Sequence, residues 1–408
     1  MDRRKILKFA GLASAARIFF GKLNPASAQT WQKIANPTGS AGTWQKLTIA
    51  SSVNAYSISS IATGGLTHTG VSRSDGLVFT SGANNYGQVG NNTVVAKSTF
   101  TQALGISNIA MIGAGQHHTI ALRSDGLVFG CGYNTAGQVG DNTAVNKSTF
   151  VQALGISNAV AVAGGYWHTV ALRSDGLVFA TGADWSGILG DNDNTGTNKS
   201  TFVQALGISN AVAISCGIGT SVALRADGLV FACGYNDEGQ LGINTVASKL
   251  TYVQALGISD AVAIAAGERF VVALRSDGLV FGCGLNGHGQ LGINATTNRS
   301  TFVQAIGISN ITAIAGGSFH TLALRSDGLV FACGYNAAGQ VGDNTTANKS
   351  TFVQALGISN AIAIACEGNS SVALRSDGLI FATGNNSNGQ LGNNATVSKL
   401  TFVSAIAP

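Results

Sequence analysis

Four histidines recur at one position of a repeated segment and are the first candidates for metal chemistry. Each of them precedes a threonine: His68, His118, His168 and His320. Imidazole nitrogens are common metal ligands, so a group of four could in principle hold a transition metal. The other three copies of the segment carry Thr220, Phe270 and Ser370 at this position. Histidines distributed over separate repeats do not share one coordination sphere, and we therefore expect no metal at them.

Acidic residues offer two further kinds of chemistry. The segment D-N-D-N-T-G, residues 191–196, resembles the start of a calcium-binding loop, but its twelfth position carries Phe202 instead of glutamate. We expect a polar loop tip there and no calcium. Glu268 and Glu367 could act as a general acid and base at the mouth of a channel, although they belong to different repeats. This pair is the basis of an alternative hypothesis, that the protein is an enzyme.

The cysteines occupy two equivalent positions of the repeat. Cys131, Cys233, Cys283 and Cys333 share the first position, and Cys216 and Cys366 share the second. Disulfide formation requires Cα atoms within about 7 Å, and equivalent positions of successive repeats lie farther apart than that. The sequence therefore predicts small buried thiols and no disulfide framework.

A repeat of about 50 residues must position all of these side chains. The motif R-[SA]-D-G occurs seven times, at intervals of 50 residues except for one interval of 52. In the third copy the runs AVAVAGG, HTVALRS, GLVFATG and STFVQALG indicate four strands, and D-G between apolar runs is a strong hairpin signal. Four-stranded repeats of this length close into propellers more readily than into a β-helix, whose coils are shorter. The predicted fold is all-β, a seven-bladed β-propeller of four-stranded antiparallel blades.

The repeat also resembles a known family. The pattern G-G-x-x-H-T-x-A-L-R-x-D-G-x-V-F-x-x-G-x-N-x-x-G-Q-[LV]-G is similar to the regulator of chromosome condensation repeat, and it extends over residues 57–408. The resemblance implies a seven-bladed propeller in which the histidine is a structural part of the blade. Residues 29–56 form a separate N-terminal segment that contains K-L-T-I, residues 46–49, which is similar to the last strand of each repeat. Either this segment or the C-terminal copy could complete the seventh blade.

The N-terminus accounts for the net charge of +5. Within the first 28 residues only Asp2 is acidic, and the basic residues are Arg3, Arg4, Lys5, Lys8, Arg17 and Lys22. Nucleic-acid binding needs a concentrated basic surface on the folded domain, so we expect no nucleic-acid partner. The segment R-R-K-I-L-K resembles a twin-arginine signal, and A-S-A at 26–28 offers a cleavage site. Residues 1–28 therefore predict export to the periplasm or beyond, and no apolar run is long enough to span a membrane.

Variation between the repeats is concentrated at one edge of the predicted ring. In each blade the loop between strands one and two (the inner loop) and the loop between strands three and four (the outer loop) lie at the same edge. The R-S-D-G turn and the L-G-I-S-N link lie at the opposite edge and are nearly invariant. Unconstrained drift explains variable loops in general, but it does not easily explain why the link stays constant. We therefore predict that the variable edge is a binding face around the channel mouth.

Large or charged side chains at variable positions are the candidate contacts, because aromatic residues and arginine anchor most protein interfaces. The predicted partner-binding residues are Tyr86, His117, Tyr166, Trp167, Asp184, Trp185, Glu268, Arg269, Phe270 and Phe319.

Together these features predict an exported, monomeric, non-catalytic protein that binds a protein or polysaccharide partner and needs no cofactor or metal. The resembled family includes a nucleotide exchange factor and secreted inhibitors of β-lactamases, of which the second is the closer analogy. Two alternatives stay open. One is an enzyme with its active site at the channel mouth, and the other is a structural or cell-surface repeat module.

Overall fold

Short apolar runs separated by glycine-containing turns fold into small antiparallel sheets, because each run can bury one or both faces but is too short to do so alone. A computed structural model of the chain describes residues 31–33, 44–46, 58–64 and 67–406. Seven four-stranded sheets are formed, and in each sheet the strands lie side by side in chain order. The predicted seven-bladed, all-β propeller is confirmed. The predicted export signal, residues 1–28, lies outside the described residues.

Each blade is one continuous segment of chain. Two short strands, β1 (Trp31–Lys33) and β2 (Trp44–Lys46), pair with each other before the first blade. Blade one contains β3 (Ile58–Gly64), β4 (His68–Arg73), β5 (Val78–Gly82) and β6 (Lys97–Gln102). Blade two contains β7 (Ile109–Ala114), β8 (His118–Arg123), β9 (Val128–Gly132) and β10 (Lys147–Gln152). Blade three contains β11 (Ala159–Gly164), β12 (His168–Arg173), β13 (Val178–Gly182) and β14 (Lys199–Gln204), with one 3-10 turn at Trp185–Gly187.

The remaining four blades repeat this order. Blade four contains β15 (Ala211–Cys216), β16 (Thr220–Arg225), β17 (Val230–Gly234) and β18 (Lys249–Gln254). Blade five contains β19 (Ala261–Ala266), β20 (Phe270–Arg275), β21 (Val280–Gly284) and β22 (Arg299–Gln304). Blade six contains β23 (Ile311–Gly316), β24 (His320–Arg325), β25 (Val330–Gly334) and β26 (Lys349–Gln354). Blade seven contains β27 (Ala361–Glu367), β28 (Ser370–Arg375), β29 (Ile380–Gly384) and β30 (Lys399–Ser404).

The ring closes by packing the last blade directly against the first. The innermost strands of neighbouring blades contact one another around the ring, including β27 against β3. Asn394 of blade seven donates its backbone N–H to the Ser98 carbonyl of blade one at 3.0 Å, as Asn92 does to Ser148 at 2.8 Å between blades one and two. Because β30 pairs with β29, the C-terminal copy completes the seventh blade. Residues 47–49, the alternative closing segment, lie outside the described residues.

The R-S-D-G motif forms the hairpin turn between the second and third strands, as its sequence predicts. In blade three Gly176 adopts φ +81°, and Arg173 donates its backbone N–H to the Leu177 carbonyl at 2.9 Å. The Arg173 guanidinium pairs with the Asp175 carboxylate and lies 4.9 Å from the centre of the Phe179 ring. The same ion pair and ring contact occur in all seven blades, so this motif is a structural element of the fold.

The constancy of the L-G-I-S-N link has a backbone explanation that the sequence reasoning missed. In the first link Gly105 adopts φ +78° and Asn108 adopts φ +57°, a region that glycine and asparagine tolerate better than other residues. A Cβ atom on Gly76 of the hairpin turn would lie 2.7 Å from the Asn108 Cα atom, so turn and link are in backbone contact. The invariance of this edge therefore follows from packing and does not by itself point to function at the other edge.

The repeated histidines connect neighbouring blades. His118 Nε2 lies 3.0 Å from Thr169 Oγ1 of the next blade, and Thr169 donates its hydroxyl hydrogen to the Gln138 carbonyl at 2.7 Å. Since that hydrogen is already used, the imidazole must donate through Nε2–H. Burial lowers the pKa of His118 to about 3, so the ring is neutral. The same contact is made by His68, His168 and His320. The predicted structural role of this position is confirmed.

The cysteines behave as small apolar residues. All six belong to the described part of the chain, are buried and form no disulfide. The Cys131 thiol points toward the Gln88 carbonyl of the preceding blade, 3.6 Å away, and Cys283 and Cys333 make the equivalent contact. Both parts of the sequence prediction, burial and the absence of disulfides, are confirmed.

Candidate partner-binding face

The inner loops of blades three to seven are linked by backbone hydrogen bonds that cross from blade to blade. Tyr166 donates to the Gly217 carbonyl at 3.3 Å, Ile218 to Glu268 at 3.2 Å, and Glu268 to Ser318 at 3.2 Å. Ser318 continues the series with a 3.0 Å bond to the Gly368 carbonyl. Because the backbone carries these bonds, the side chains at the same positions are free to differ between blades without disturbing the ring.

A first aromatic cluster extends over blades one to three at this edge. Tyr86 lies 5.0 Å from His117 and 4.9 Å from Tyr133, measured between ring centres. Tyr133 contacts Trp167 edge to face at 5.3 Å, and Trp167 lies 5.4 Å from Tyr166. All five rings are half-buried. We call Tyr86, His117, Tyr133, Tyr166 and Trp167 the first cluster; its partly accessible rings form one continuous apolar surface supplied by three blades.

A second cluster, Trp185, Tyr235 and Arg269, lies at the same edge on blades three to five. Trp185 is 38% exposed and its ring lies 6.2 Å from Tyr235. A Cβ atom on Gly219 would fall 2.7 Å from the indole, so the absence of a side chain at Gly219 makes room for Trp185. On the other side of Tyr235, the Arg269 guanidinium stacks 5.4 Å from the ring centre. Glu238 lies 3.8 Å from Arg269 and gives this cluster a charged rim.

A third cluster, His288, Phe319 and Tyr335, lies on blades five and six. His288 is 5.4 Å from Phe319 and 4.9 Å from Tyr335, again between ring centres. His288 Nδ1 also lies 3.2 Å from the side-chain amide nitrogen of Asn348 in the next blade. The three clusters together place aromatic side chains on the variable edge of blades one to six.

Of the ten predicted contact residues, seven belong to these clusters: Tyr86, His117, Tyr166, Trp167, Trp185, Arg269 and Phe319. The clusters also contain residues that sequence reasoning missed, namely Tyr133, Tyr235, Tyr335 and His288. The three tyrosines directly follow the third strand, at a position that carries Ala83, Ala183, Leu285 and Asn385 in the other blades. The difference between these three blades and the other four is therefore visible in the sequence.

Two predicted contact residues are corrected by their burial. Phe270 is 1% exposed; it occupies the histidine position at the start of the second strand and packs in the core between blades five and six. Asp184 is also only 1% exposed. Neither side chain is accessible at the surface, so neither contacts a partner directly.

Asp184 lies in an acidic group with the loop that resembles the start of a calcium site. Carboxylate oxygens of Asp184, Asp191 and Asp193 lie within 4.8 Å of one another. Burial, and secondarily the charge of Asp191, raises the pKa of Asp184 to about 7. Lys199 donates to Asp193 at 2.6 Å and lowers the pKa of that carboxyl to about 2. The segment 191–196 is therefore an organised loop whose carboxylates converge with a buried one.

Glu268, the tenth predicted contact residue, is half-buried in the inner-loop ring. Burial raises the pKa of its carboxyl, and the charge of neighbouring Arg269 opposes that shift. The side chain of Glu367, its suggested partner in the enzyme hypothesis, lies outside the described residues. The acid–base pair of the enzyme hypothesis therefore stays a prediction.

Residues 146–405 match the family model of the RCC1-like domain. The chain belongs to the RCC1-like family. Residues 75–122 and 109–138 match two models of the regulator of chromosome condensation (RCC1) repeat, so the predicted resemblance is confirmed. No curated protein matches the chain.

Solved structures support the same fold for this RCC1-like chain. Prp20p from Saccharomyces cerevisiae superposes with a TM-score of 0.74 at 21% identity, covering 82% of this chain and 87% of Prp20p. Human WBSCR16 gives a TM-score of 0.74 at 20% identity, covering 81% of this chain and 95% of that protein. The Prp20p study describes binding to Gsp1p and histones. At these identities the comparison establishes the propeller fold alone. Among the described residues no helix is long and apolar enough to cross a membrane.

Proposed function

We propose that this RCC1-like propeller is an exported, non-catalytic binding protein that recognises a protein partner through the first and second aromatic clusters. The observation that carries the proposal is the continuous contact Tyr86–Tyr133–Trp167–Tyr166, followed by Trp185 and Tyr235 on the same edge. A run of partly accessible aromatic rings with a charged rim is typical of protein interfaces.

Physical reasons favour recognition over drift. Contiguous exposed aromatic rings carry an aggregation cost, and on soluble proteins such patches mark interaction sites. Aromatic residues and arginine bury much surface with little loss of side-chain entropy, which makes them efficient anchors. Gly219 and Trp185 are matched to each other across two blades, whereas independent drift would leave such positions unrelated.

The nature of the partner and the location of the protein are further parts of the proposal. A protein partner is favoured by the mixed aromatic and charged rim, in which Arg269 pairs with Glu238. Solved structures of the same fold have protein partners, since Prp20p was studied for binding to Gsp1p and histones. The twin-arginine-like segment in residues 1–28 supports an exported protein, so the partner is sought outside the cytoplasm.

The test compares capture by the wild-type chain with capture by the double variant Trp167→Ala and Trp185→Ala. Tagged proteins are incubated with the native extracytoplasmic fraction, and the bound proteins are quantified by mass spectrometry. Truncation of a central aromatic anchor costs about 2 kcal/mol of binding free energy or more, so a specific partner should be lost at least tenfold.

Leu206→Ala provides the matched control. The exposed fraction of Leu206, 44%, is similar to the 38% of Trp185. Leu206 belongs, however, to the invariant link at the opposite edge of the propeller. We expect the control to retain the partner. Equal recovery from wild type, control and double variant would contradict binding through this face, provided that thermal unfolding shows all three to be folded. If a gel that contains polysaccharide retards the wild-type protein but not the double variant, the partner is a carbohydrate and not a protein.

A further inference from the structure

A buried asparagine organises the outer loop in six of the seven blades. Asn134 donates its side-chain N–H groups to Asp141 Oδ1 at 2.9 Å, to the Thr143 carbonyl at 3.1 Å and to the Val145 carbonyl at 3.2 Å. Its oxygen accepts the Val139 backbone N–H at 2.9 Å. The equivalent residues donate in the same way to carbonyls of their own loops: Asn84, Asn236, Asn286, Asn336 and Asn386. An amide NH₂ therefore fills a cage of oxygen atoms in each of these blades.

Blade three replaces this donor by an acceptor. Its residue at the asparagine position is Asp184, which is 1% exposed. Oδ1 receives only a long 3.4 Å bond from the Leu189 backbone N–H, whereas the asparagine oxygens receive theirs at 2.8 to 3.0 Å. Oδ2 is buried and has no hydrogen-bond partner among the described residues. A buried carboxylate oxygen without a partner is costly, so Asp184 must either hold a proton or contact a cation.

The surrounding loop has changed in the same direction. Asp191 and Asp193 follow Asp184 at the spacing at which Asp141 and Thr143 follow Asn134, so a threonine has become a second loop carboxylate. The blade-three loop is also two residues longer, and Gly196 within the insertion adopts φ +69°. Oxygens of the three aspartates lie within 4.8 Å of one another. The replacements of asparagine by Asp184 and of threonine by Asp193 therefore add carboxylate oxygens around the point that the amide NH₂ occupies elsewhere.

Lysine does not fill the cage. Lys199 Nζ lies 2.6 Å from Asp193 Oδ2 and 3.8 Å from Asp191 Oδ2, and it makes no bond to Asp184. Lys147 and Lys349 make the corresponding 2.8 Å bonds to Asp141 and Asp343 in blades two and six, so this lysine belongs to the ordinary blade. Lys199 therefore leaves Asp184 without a cationic partner, although two further carboxyl groups converge on it.

The oxygen ligands at this position favour calcium over other ions. Calcium takes only oxygen ligands, at about 2.3–2.6 Å, and accepts irregular geometry with a mixture of carboxylates, carbonyls and water. Two oxygens on opposite sides of such an ion are about 5 Å apart, which is compatible with the spread of the three aspartates. The loop begins like a calcium-binding loop but has Phe202 at its twelfth position. Asp184, which precedes the loop, supplies a carboxylate that the loop itself does not.

We propose that blade three carries a calcium site formed by Asp184, Asp191 and Asp193, with calcium in the place of the asparagine NH₂ of the other blades. This inference is independent of the proposed partner-binding function.

The test is calorimetric titration of the full chain, freed of metal with a chelator, by calcium chloride alone and by magnesium chloride alone. The decisive variant is Asp184→Asn, which restores the residue that six blades already use and so preserves the fold. Asp141→Asn in blade two is the matched control, because blades one and seven carry asparagine there. We expect one calcium ion per wild-type chain, with a dissociation constant of about a millimolar or tighter.

The expected pattern is unchanged affinity in Asp141→Asn and at least a tenfold loss in Asp184→Asn. Calcium should raise the thermal unfolding temperature of the wild type and not that of Asp184→Asn, which should be at least as stable as the calcium-free wild type. Absence of calcium binding to the wild type would overturn the proposal and leave a protonated carboxyl as the occupant. Full affinity in Asp184→Asn, or tighter binding of magnesium, would overturn it equally.

Discussion

Replacing His320 by phenylalanine should make the propeller less sensitive to acid. His320 is fully buried, and burial lowers its pKa to about 3 from an ordinary value of 6.5. The replacement has a precedent in the same chain, because Phe270 fills this position in blade five. The backbone also matches, since Gly317 faces His320 as Gly267 faces Phe270. The variant therefore removes one buried titrating group without a new steric demand.

The magnitude follows from the difference in proton binding between the folded and unfolded chains. A histidine whose folded pKa is lowered binds its proton only on unfolding, so the stability is fully present above pH 6.5 and falls as the pH drops toward the folded pKa. Each pH unit in this window costs about 1.4 kcal/mol per histidine. Between about pH 7 and pH 4.5, protonation linked to His320 alone should therefore lower the free energy of unfolding by about 3 kcal/mol. His68, His118 and His168 contribute in the same direction, and they remain in the variant.

The assay is urea unfolding of wild type and His320→Phe at both pH values. At neutral pH the free energy of unfolding of the variant should lie within about 1 kcal/mol of the wild-type value, because the variant loses one hydrogen bond to Ser371. On acidification it should lose about 3 kcal/mol less than the wild type does. Ser371→Ala is the control, since it removes the same bond but keeps the imidazole, and its acid sensitivity should equal that of the wild type. An identical acid response in His320→Phe would refute the argument from burial.

Two further predictions concern other buried or matched positions. Burial raises the pKa of thiols such as Cys131 and Cys283, so Ellman's reagent should leave all six cysteines of the native protein unmodified. In urea the reagent should label six cysteines per chain. Rapid labelling of the native chain would show that the blades open. Gly219→Ala should displace the Trp185 ring, because the new Cβ atom would lie 2.7 Å from it, and should shift the tryptophan emission while the thermal unfolding temperature changes little. Gly287→Ala is the control, because its Cβ atom would contact nothing within 4 Å. Equal spectra for the two variants would contradict the packing of Trp185 over Gly219.

The blades were predictable because the residues that define them are constrained locally. The R-S-D-G turn needs a glycine at positive φ, and the apolar run H-T-V-A-L, in which all five residues are buried, forms a strand covered on both faces. Seven repetitions of these local constraints left the number and kind of blades in little doubt. The way in which the ring closes was not predictable, because K-L-T-I and K-L-T-F carry the same local pattern and only packing distinguishes them.

The candidate face was less predictable because exposure depends on neighbouring blades. Phe270 occupies a position that varies between copies, but that position starts a strand and points into the core. Asp184 meets the criterion of a charged residue at a variable position, although the aligned asparagines mark its place as internal. Tyr133 joins the first cluster through contacts with Tyr86 and Trp167 from two other blades, and no single repeat contains that information.

The closure of the ring has a consequence for assembly. Residues of the first and last blades, among them Ile61, Val71, Val372 and Leu374, form one apolar cluster, and none of the described strands is exchanged across this seam. A chain that lost one whole blade could not close at the same diameter and would present complementary apolar faces at its two ends. Such faces fit each other only between molecules, which is a head-to-tail contact without closure. We expect loss of a blade to yield filaments or larger rings, so the number of repeats determines whether the protein is a single closed particle.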